Sequence, residues 1–505
     1  MRISTQLNTT ARRPISAAAL AACAAAAAAL TVVPALASTL AQIGVTQLRQ
    51  VNPSLTGAGV ILGQAEASVG GATDAFEVNP ANLGATASGQ SRSFVYTNSS
   101  NVASSVYSSA AYSGHAEAVA QNYYGANGVA NGATTIYNYD SNAWAGTYVF
   151  SDKAPPTGLA IVNQSFIYSQ LTAGTTDSVD TYYDNYTDQY NAIFVSAVGN
   201  GGSSTTYTTP SSQINAPATA YNSIAVAAYG GSSGVGTTFD GRSKPDISAP
   251  AGETSFAAPL VAGSAALLVQ AGRMGIGGGS VSAETDERTV KALLLNGAVK
   301  PVGWTHTATQ PLDTRWGAGV VNVYNSYTEL AAGQVHATTS NTAALGSTGP
   351  AETSMAAQSH LQGWDFASIT SSASANAINH YVFNLGSASN LTATLVWNRQ
   401  INQANINNLD LYLYNSLGQA VAISDSSVDN VQQLYTLNLA PGKYDLEVVK
   451  LGGSSEVSSQ EQYALAYSFI SSSTASTPEP ATLSLLVVGG TALLMRRRKP
   501  AAAKA

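Results

Sequence analysis

The sequence predicts an α/β domain built on a mostly parallel, helix-covered sheet, followed by a smaller all-β sandwich. Three observations lead there. From about Thr56 to Tyr327, short β-rich apolar runs alternate with Ala-rich helical stretches, the pattern of a parallel sheet covered on both faces. Beyond about residue 360, apolar and polar residues alternate between Gly, Asn and Ser turns, which is sandwich spacing. A chain of 505 residues also exceeds one ordinary core, so two folded units plus processing segments are expected.

The first domain is expected over 42–330. Its strands are Val60–Ala65, Thr134–Tyr139, Gly158–Asn163, Ala192–Ala197 and Ser223–Ala228, each bounded by Gly, Asn, Asp or Pro. Its helices are Gly114–Tyr124, Ser255–Ala271 and Ala283–Asn296. Residues 331–359 are rich in Ala, Thr, Ser and Gly, have no sustained period, and read as a linker. The sandwich follows over 360–472, with strands at His380–Leu385, Leu391–Trp397, Leu409–Tyr414, Leu434–Leu439 and Gly442–Val449.

Both ends carry processing signals. Arg2, Arg12 and Arg13 precede an apolar run from Ile15 to Val33, and Ala35, Leu36 and Ala37 give a small-x-small pattern. Residues 1–37 are therefore expected to be a cleaved export signal, with an uncleaved anchor as the alternative. Cys23 is the sole cysteine. Cleavage leaves no thiol, which excludes disulfides, thiolate metal sites and a cysteine nucleophile. At the other end Pro478, Glu479 and Pro480 precede an apolar segment, Ala481 to Met495, closed by Arg496, Arg497, Arg498 and Lys499. An apolar helix followed by a basic cluster places its C-terminus inside the cell. This order over 478–500 resembles the PEP-CTERM sorting signal. The resemblance implies a Gram-negative host, an exosortase-type sorting enzyme as partner, a transient membrane anchor in the C-terminal helix, and export to the cell surface or beyond.

Only 10% of residues are charged and 45% are hydrophobic, so the surface is solvated mainly by neutral Ser, Thr, Asn and Tyr. The net charge of −7 becomes more negative once the basic residues of the two ends are set aside. An acidic protein of this kind is a poor nucleic-acid binder.

The stretch Gly252, Glu253, Thr254, Ser255, Phe256, Ala257, Ala258, Pro259 to Gly263 puts a serine at the start of a small-residue helix. Free N–H groups and the positive dipole end there can stabilise an anion beside Ser255, although a serine in that place is first of all an N-cap. Thr254 to Gly263 resembles the nucleophile segment of the subtilisin-like serine peptidases. Asp240 to Pro250 resembles their approach to it, and Val290–Ala298 with Trp316–Asn322 resembles their last helices and closing turn. The resemblance implies a three-layer subtilisin-like domain and a serine endopeptidase acting on polypeptides. Residue by residue, it implies Ser255 as nucleophile and His115, within Gly114–Ala120, as general base. Asn200, ending Val195–Asn200, becomes the oxyanion donor. Ser165 matches the segment that binds extended substrate through its backbone by β-addition.

Three departures stand out. Glu66 occupies the place of the family's aspartate, one methylene longer, with Asp74 as a weaker substitute. Glu117 replaces a usual threonine, and Glu253 stands where relatives have no acid. Glu66, the short approach from Pro250 to Ser255 and the lack of a recognisable inhibitory propeptide between Ala37 and the first strand make a catalytically weak or inactive, peptidase-like surface binding protein the alternative expectation. No metal or organic cofactor is required. Asn407, Asn408 and Asp410 are the candidates for a structural calcium ion, against a reading as solvated turn residues.

Overall fold

The structure, a computed structural model, describes residues 38–68, 75–168, 171–201, 214–344, 351–352, 354–454 and 456–472. The expected export signal, the expected sorting signal and Asp74 lie outside the described residues.

The first sheet is assembled from short, β-branched and Ala-rich runs. Its strands are β1 Ile61–Glu66, β2 Ser93–Thr97, β3 Ala103–Ser104, β4 Thr135–Asp140, β5 Leu159–Gln164, β6 Ile193–Ala197, β7 Ile224–Tyr229 and β8 Ile247–Pro250. Among the described residues they lie in the order β3-β2-β4-β1-β5-β6-β7-β8. Every neighbouring pair is parallel except the β2–β3 hairpin. Burial on both faces explains why these strands read as continuous apolar runs.

Helices α1 Val45–Val51, α2 Gly114–Tyr123, α3 Ala173–Tyr190, α4 Thr254–Arg273, α5 Glu287–Asn296 and α6 Val323–Ala332 cover the sheet and its flank. One face carries α2 and α4, whose Ala120, Val261, Ala265 and Leu268 join Leu62, Ile161 and Val226 in a single core. The other face carries α3 with a second, aromatic cluster of Trp144, Tyr183, Tyr186 and Phe194. This is the expected three-layer, mostly parallel arrangement. Helix α4 is long and apolar enough to cross a membrane, yet nearly all of it is enclosed by protein. It fits so closely because residue 263 is glycine: a Cβ there would collide with the Val129 side chain.

The second unit is a sandwich of strands β9 Thr338–Ala344, β10 Gln362–Thr370, β11 Ala375–Leu385, β12 Ser389–Trp397, β13 Leu409–Asn415, β14 Ala420–Ser424, β15 Val431–Leu439, β16 Gly442–Lys450 and β17 Gln460–Ser471. Its two antiparallel sheets run β10-β17-β12-β15 and β14-β13-β16-β11-β9. Tyr381, Phe383, Trp397, Leu411, Leu446 and Leu465 fill the space between them.

The stretch 331–359 departs from the linker expectation. It holds the last turn of α6 and strand β9, which pairs with β11. Edge pairing through the backbone needs no apolar alternation, so Thr338–Ala344 gave no periodic signal. The helix expected over Ala283–Asn296 is also broken. A short turn at Val281–Glu284 ends before Asp286, whose side chain accepts the Arg288 N–H and starts α5 afresh.

The two units share one core. Trp364, Val396, Val431, Ala464 and Ala466, from the four-stranded sheet, belong to the same apolar cluster as α4 and α5. Polar contacts close the seam. Arg399 is buried, with Nε 2.8 Å from Asp184 Oδ2, a charge contact without hydrogen-bond alignment. Its backbone exchanges hydrogen bonds with the Asn222 side chain at 2.9 and 3.0 Å. Arg242 and Arg399 both stack on the Tyr221 ring. Ser243 donates its N–H to Asp429 Oδ1 at 2.6 Å, and Asn398 donates to Glu287 Oε1 at 2.6 Å.

Removing one partner of such a buried pair strands the other charge away from water. Arg399→Ala is expected to lower unfolding stability by about 3–5 kcal/mol. Urea denaturation at neutral pH checks this, and a loss below about 1 kcal/mol would show that the seam does not hold the domains together.

Candidate active site

The carboxyl ends of parallel strands are where an open α/β sheet presents its functional groups. Glu66 is the last residue of β1, Ser165 follows β5, and Asn200 follows β6. His115 and Ser255 come from the N-terminal turns of α2 and α4.

Helix α2 begins at Ser113, whose hydroxyl accepts the Ala116 N–H at 3.2 Å. This fixes His115 in the first turn, with its side chain one quarter exposed. Its Nδ1 lies 2.8 Å from Glu66 Oε2, and Glu66 is completely buried. The other carboxylate oxygen accepts Gln64 Nε2 at 2.8 Å, and the same amide also donates to the Ala116 carbonyl at 2.8 Å. Tyr124 donates its hydroxyl to Gln64 Oε1 at 2.6 Å. The extra methylene of Glu66 is thus absorbed within a bonded network that joins the end of β1 to the histidine helix. Burial works against a charged ring, but the hydrogen bond and charge of Glu66, together with the charge of Glu253, outweigh it. The His115 imidazole is raised above its ordinary value.

Ser255 is not the N-cap of α4. Glu253 holds that position, in extended conformation and without a side-chain capping bond. Ser255 therefore lies inside the first turn, half-buried, and among the described residues none hydrogen-bonds its hydroxyl. Its carbonyl accepts the Ser165 hydroxyl at 2.7 Å. The next residue, Phe256, lies against the His115 ring with centroids 5.8 Å apart, so the imidazole sits beside the turn that carries Ser255.

Asn200 is reached through Gly199, whose φ of +99° favours glycine and whose Cβ would press on Asn215. Asn200 Oδ1 accepts both the N–H and the hydroxyl of Thr254, at 2.9 and 2.8 Å. That directs its amide nitrogen outward, where Glu253 Oε2 lies 3.4 Å away.

All five expected residues gather at this end of the sheet, with differences of detail. Ser165 was expected to act through its backbone; its side chain is engaged as well, accepting from Asn163 at 3.0 Å and holding Ser255. Glu117 is buried and accepts the Asn79 N–H at 3.0 Å, a supporting role for the neighbouring loop. Gln64, Tyr124 and Thr254 are additions. A polar residue inside a buried strand, two before Glu66 and so on the same face, was the available signal for Gln64. In the sandwich, Asn407 is consumed by Ser458 and Glu461. Asp410 accepts the Tyr412 hydroxyl at 3.2 Å.

Comparison with known proteins follows from this geometry. The profile of the subtilase family matches residues 58–364. No curated protein sequence matches the chain. Similar solved structures include a serine protease of Aeromonas sobria, 14% identical with a TM-score of 0.35, covering 82% of this chain and 89% of that one. The CspB protease of Clostridium perfringens is 15% identical with a TM-score of 0.43, covering 58% and 99%. The prenylagaramide maturation protease PagA is 19% identical with a TM-score of 0.37, covering 57% and 98%.

The electrostatics make a directional prediction. By NMR titration, the His115 imidazole is expected above the ordinary histidine value of about 6.5, and Glu253→Gln is expected to lower it. Gln64→Leu, which lets Glu66 turn away, should lower it too. Because the pKa is raised, the neutral, proton-accepting ring predominates only at pH above that value. An unchanged titration in both variants would contradict the network.

Proposed function

We propose, on the premise that this chain belongs to the subtilase family of serine peptidases, that it is an exported endopeptidase hydrolysing peptide bonds through an acyl-enzyme on Ser255. The observation that carries the proposal is the 2.8 Å contact from a fully buried Glu66 to His115, placed beside the first turn of α4.

In this reading a polypeptide lies across the carboxyl ends of the strands, with its backbone alongside the segment at Ser165. His115 accepts the Ser255 proton as the oxygen attacks the carbonyl carbon. Glu66 holds the Nδ1 proton and stabilises the imidazolium that forms. The oxyanion is met by the Asn200 amide and the Ser255 N–H at the positive end of α4. His115 then gives its proton to the departing amine, and water hydrolyses the ester by the same route. No metal or organic cofactor takes part in these steps. The expected signals at 1–37 and 478–500 support export, an exosortase-type partner and a transient membrane anchor; the polar, acidic surface suits display outside the cell.

A second reading, a catalytically weak surface protein that binds peptides, is favoured by one observation. Asn200 turns its amide toward the Glu253 carboxylate, which competes for the oxyanion donor.

Labelling with a fluorophosphonate probe separates the two. Modification of the folded chain is expected, with complete loss in Ser255→Ala. Glu66→Ala should lower turnover by roughly ten-thousandfold. Asn200→Ala should lower kcat roughly a hundredfold to a thousandfold with KM little changed. A folded chain that takes no label and cleaves no denatured casein would move the assignment to the binding reading.

A further inference from the structure

The sandwich contains a set of buried polar groups that the peptidase chemistry does not use. Asp445 and Glu447 are two apart on β16 and so share one face of the strand. His380, on β11, stands directly opposite Glu447 in the antiparallel register. Tyr381 and Leu446, next to them in sequence, point into the core between the sheets. The trio therefore lies on the other face of the five-stranded sheet, and all three side chains have no exposure at all.

Their distances are those of a cluster. His380 Nδ1 lies 2.7 Å from Asp445 Oδ2 and 3.8 Å from Glu447 Oε1. One ligand atom from each of the three falls within 4.8 Å of the others. Asp445 Oδ2 also accepts the Glu352 N–H at 2.8 Å, a contact that orients the carboxylate from outside the cluster.

The second observation is that the cluster is incomplete. Among the described residues, both carboxylate oxygens of Glu447 and Oδ1 of Asp445 are buried without a hydrogen-bond partner. Buried acceptors are almost always satisfied. Within the cluster itself, two carboxylates and one imidazole also leave at least one negative charge, even with the imidazole protonated. A proton shared by the two acids would occupy one oxygen of each and leave a further Glu447 oxygen orphaned. A divalent cation would neutralise both carboxylates and engage the orphaned atoms together.

We propose that His380, Asp445 and Glu447 form a structural site for a divalent transition-metal ion of the zinc class, clamping β11 to β16. One nitrogen with carboxylate oxygens is a donor set for such ions, whereas magnesium and calcium prefer oxygen alone. Ligand atoms held at about 2.0–2.1 Å in tetrahedral geometry sit roughly 3.3 Å apart, and the two distances from His380 fall on either side of that value. The remaining carboxylate oxygens complete the coordination. Because the cluster is fully enclosed, the ion holds strands together and meets no substrate.

The test uses the full chain, stripped with a chelator and dialysed against buffered Zn2+, with metal counted by elemental analysis. About one zinc ion per chain is expected, with a higher Tm than the stripped protein. Glu447→Gln, which keeps the shape of the side chain, should bind at least tenfold more weakly and lose the Tm increment. His380→Gln is the second variant, in case the first does not fold. Exposed histidines elsewhere could collect zinc, but that zinc would survive both substitutions. Wild-type chain with less than a tenth of an equivalent overturns the proposal. So does undiminished binding in both variants, or uptake of calcium or magnesium in preference to zinc.

Discussion

The first turn of helix α4 is the constraint on which the candidate site depends. Within four residues it starts at Glu253, fixes Asn200 through Thr254, takes the Ser165 hydroxyl on the Ser255 carbonyl, and lays Phe256 against His115. Strands β5 and β6 and helix α2 are thereby referred to one origin. The position of that origin is set far from the chemistry, where the enclosed body of α4 fits against Val129 only because residue 263 lacks a side chain. Catalytic geometry in such a layout is a packing result before it is a hydrogen-bonding one.

The replacement of aspartate by glutamate illustrates how that frame tolerates change. A longer acid gains reach and rotamer freedom, and freedom would be harmful to the orienting role proposed for Glu66. Gln64 removes it by tying the second carboxylate oxygen to the carbonyl side of the histidine helix. The contact between Asn200 and Glu253 works in the opposite direction, because it places a negative group near the region where the proposed mechanism develops negative charge. Glu253 also raises the His115 pKa. One acid thus acts on both the His115 imidazole and the Asn200 amide.

Much of this was legible in the sequence, and the exceptions share a physical cause. Apolar strand centres such as Leu62, Ile136 and Val195 announced themselves, but the last strand residues Glu66, Asp140 and Gln164 look like turn residues and fall outside an apolar run. Helix α3 escaped notice because its buried face includes Asp180, which pairs with Arg242 of the same unit, and Asp184, which meets Arg399 of the sandwich across the seam, instead of facing water. Its pattern makes sense only once the sandwich is in place. For the candidate site, residue types and order pointed to Glu66, His115, Asn200 and Ser255, which the structure places at one end of the sheet, since those are local features of strand ends and helix starts. Gln64 and Tyr124 became meaningful only through contacts spanning some sixty positions of chain. The buried acids of β16 were hidden for a related reason: alternation was read as inside against outside, while here the second face is buried too.

Strand β17 lies between β10 and β12, so the interior of the four-stranded sheet is formed by the final described stretch of chain. During synthesis that sheet cannot close until residue 471 has emerged. Until then the apolar surface of α5 and α6, which this sheet covers, has no partner, although every residue of the first sheet has already been made. Completion of the peptidase-like half is therefore timed by the emergence of β17, and the interval before it is one in which a helper that shields α5 would have something to hold. Any proteolytic trimming faces the same arithmetic: a cut beyond Ser471 leaves the sheet whole, whereas one before Gln460 withdraws a strand bonded on both sides.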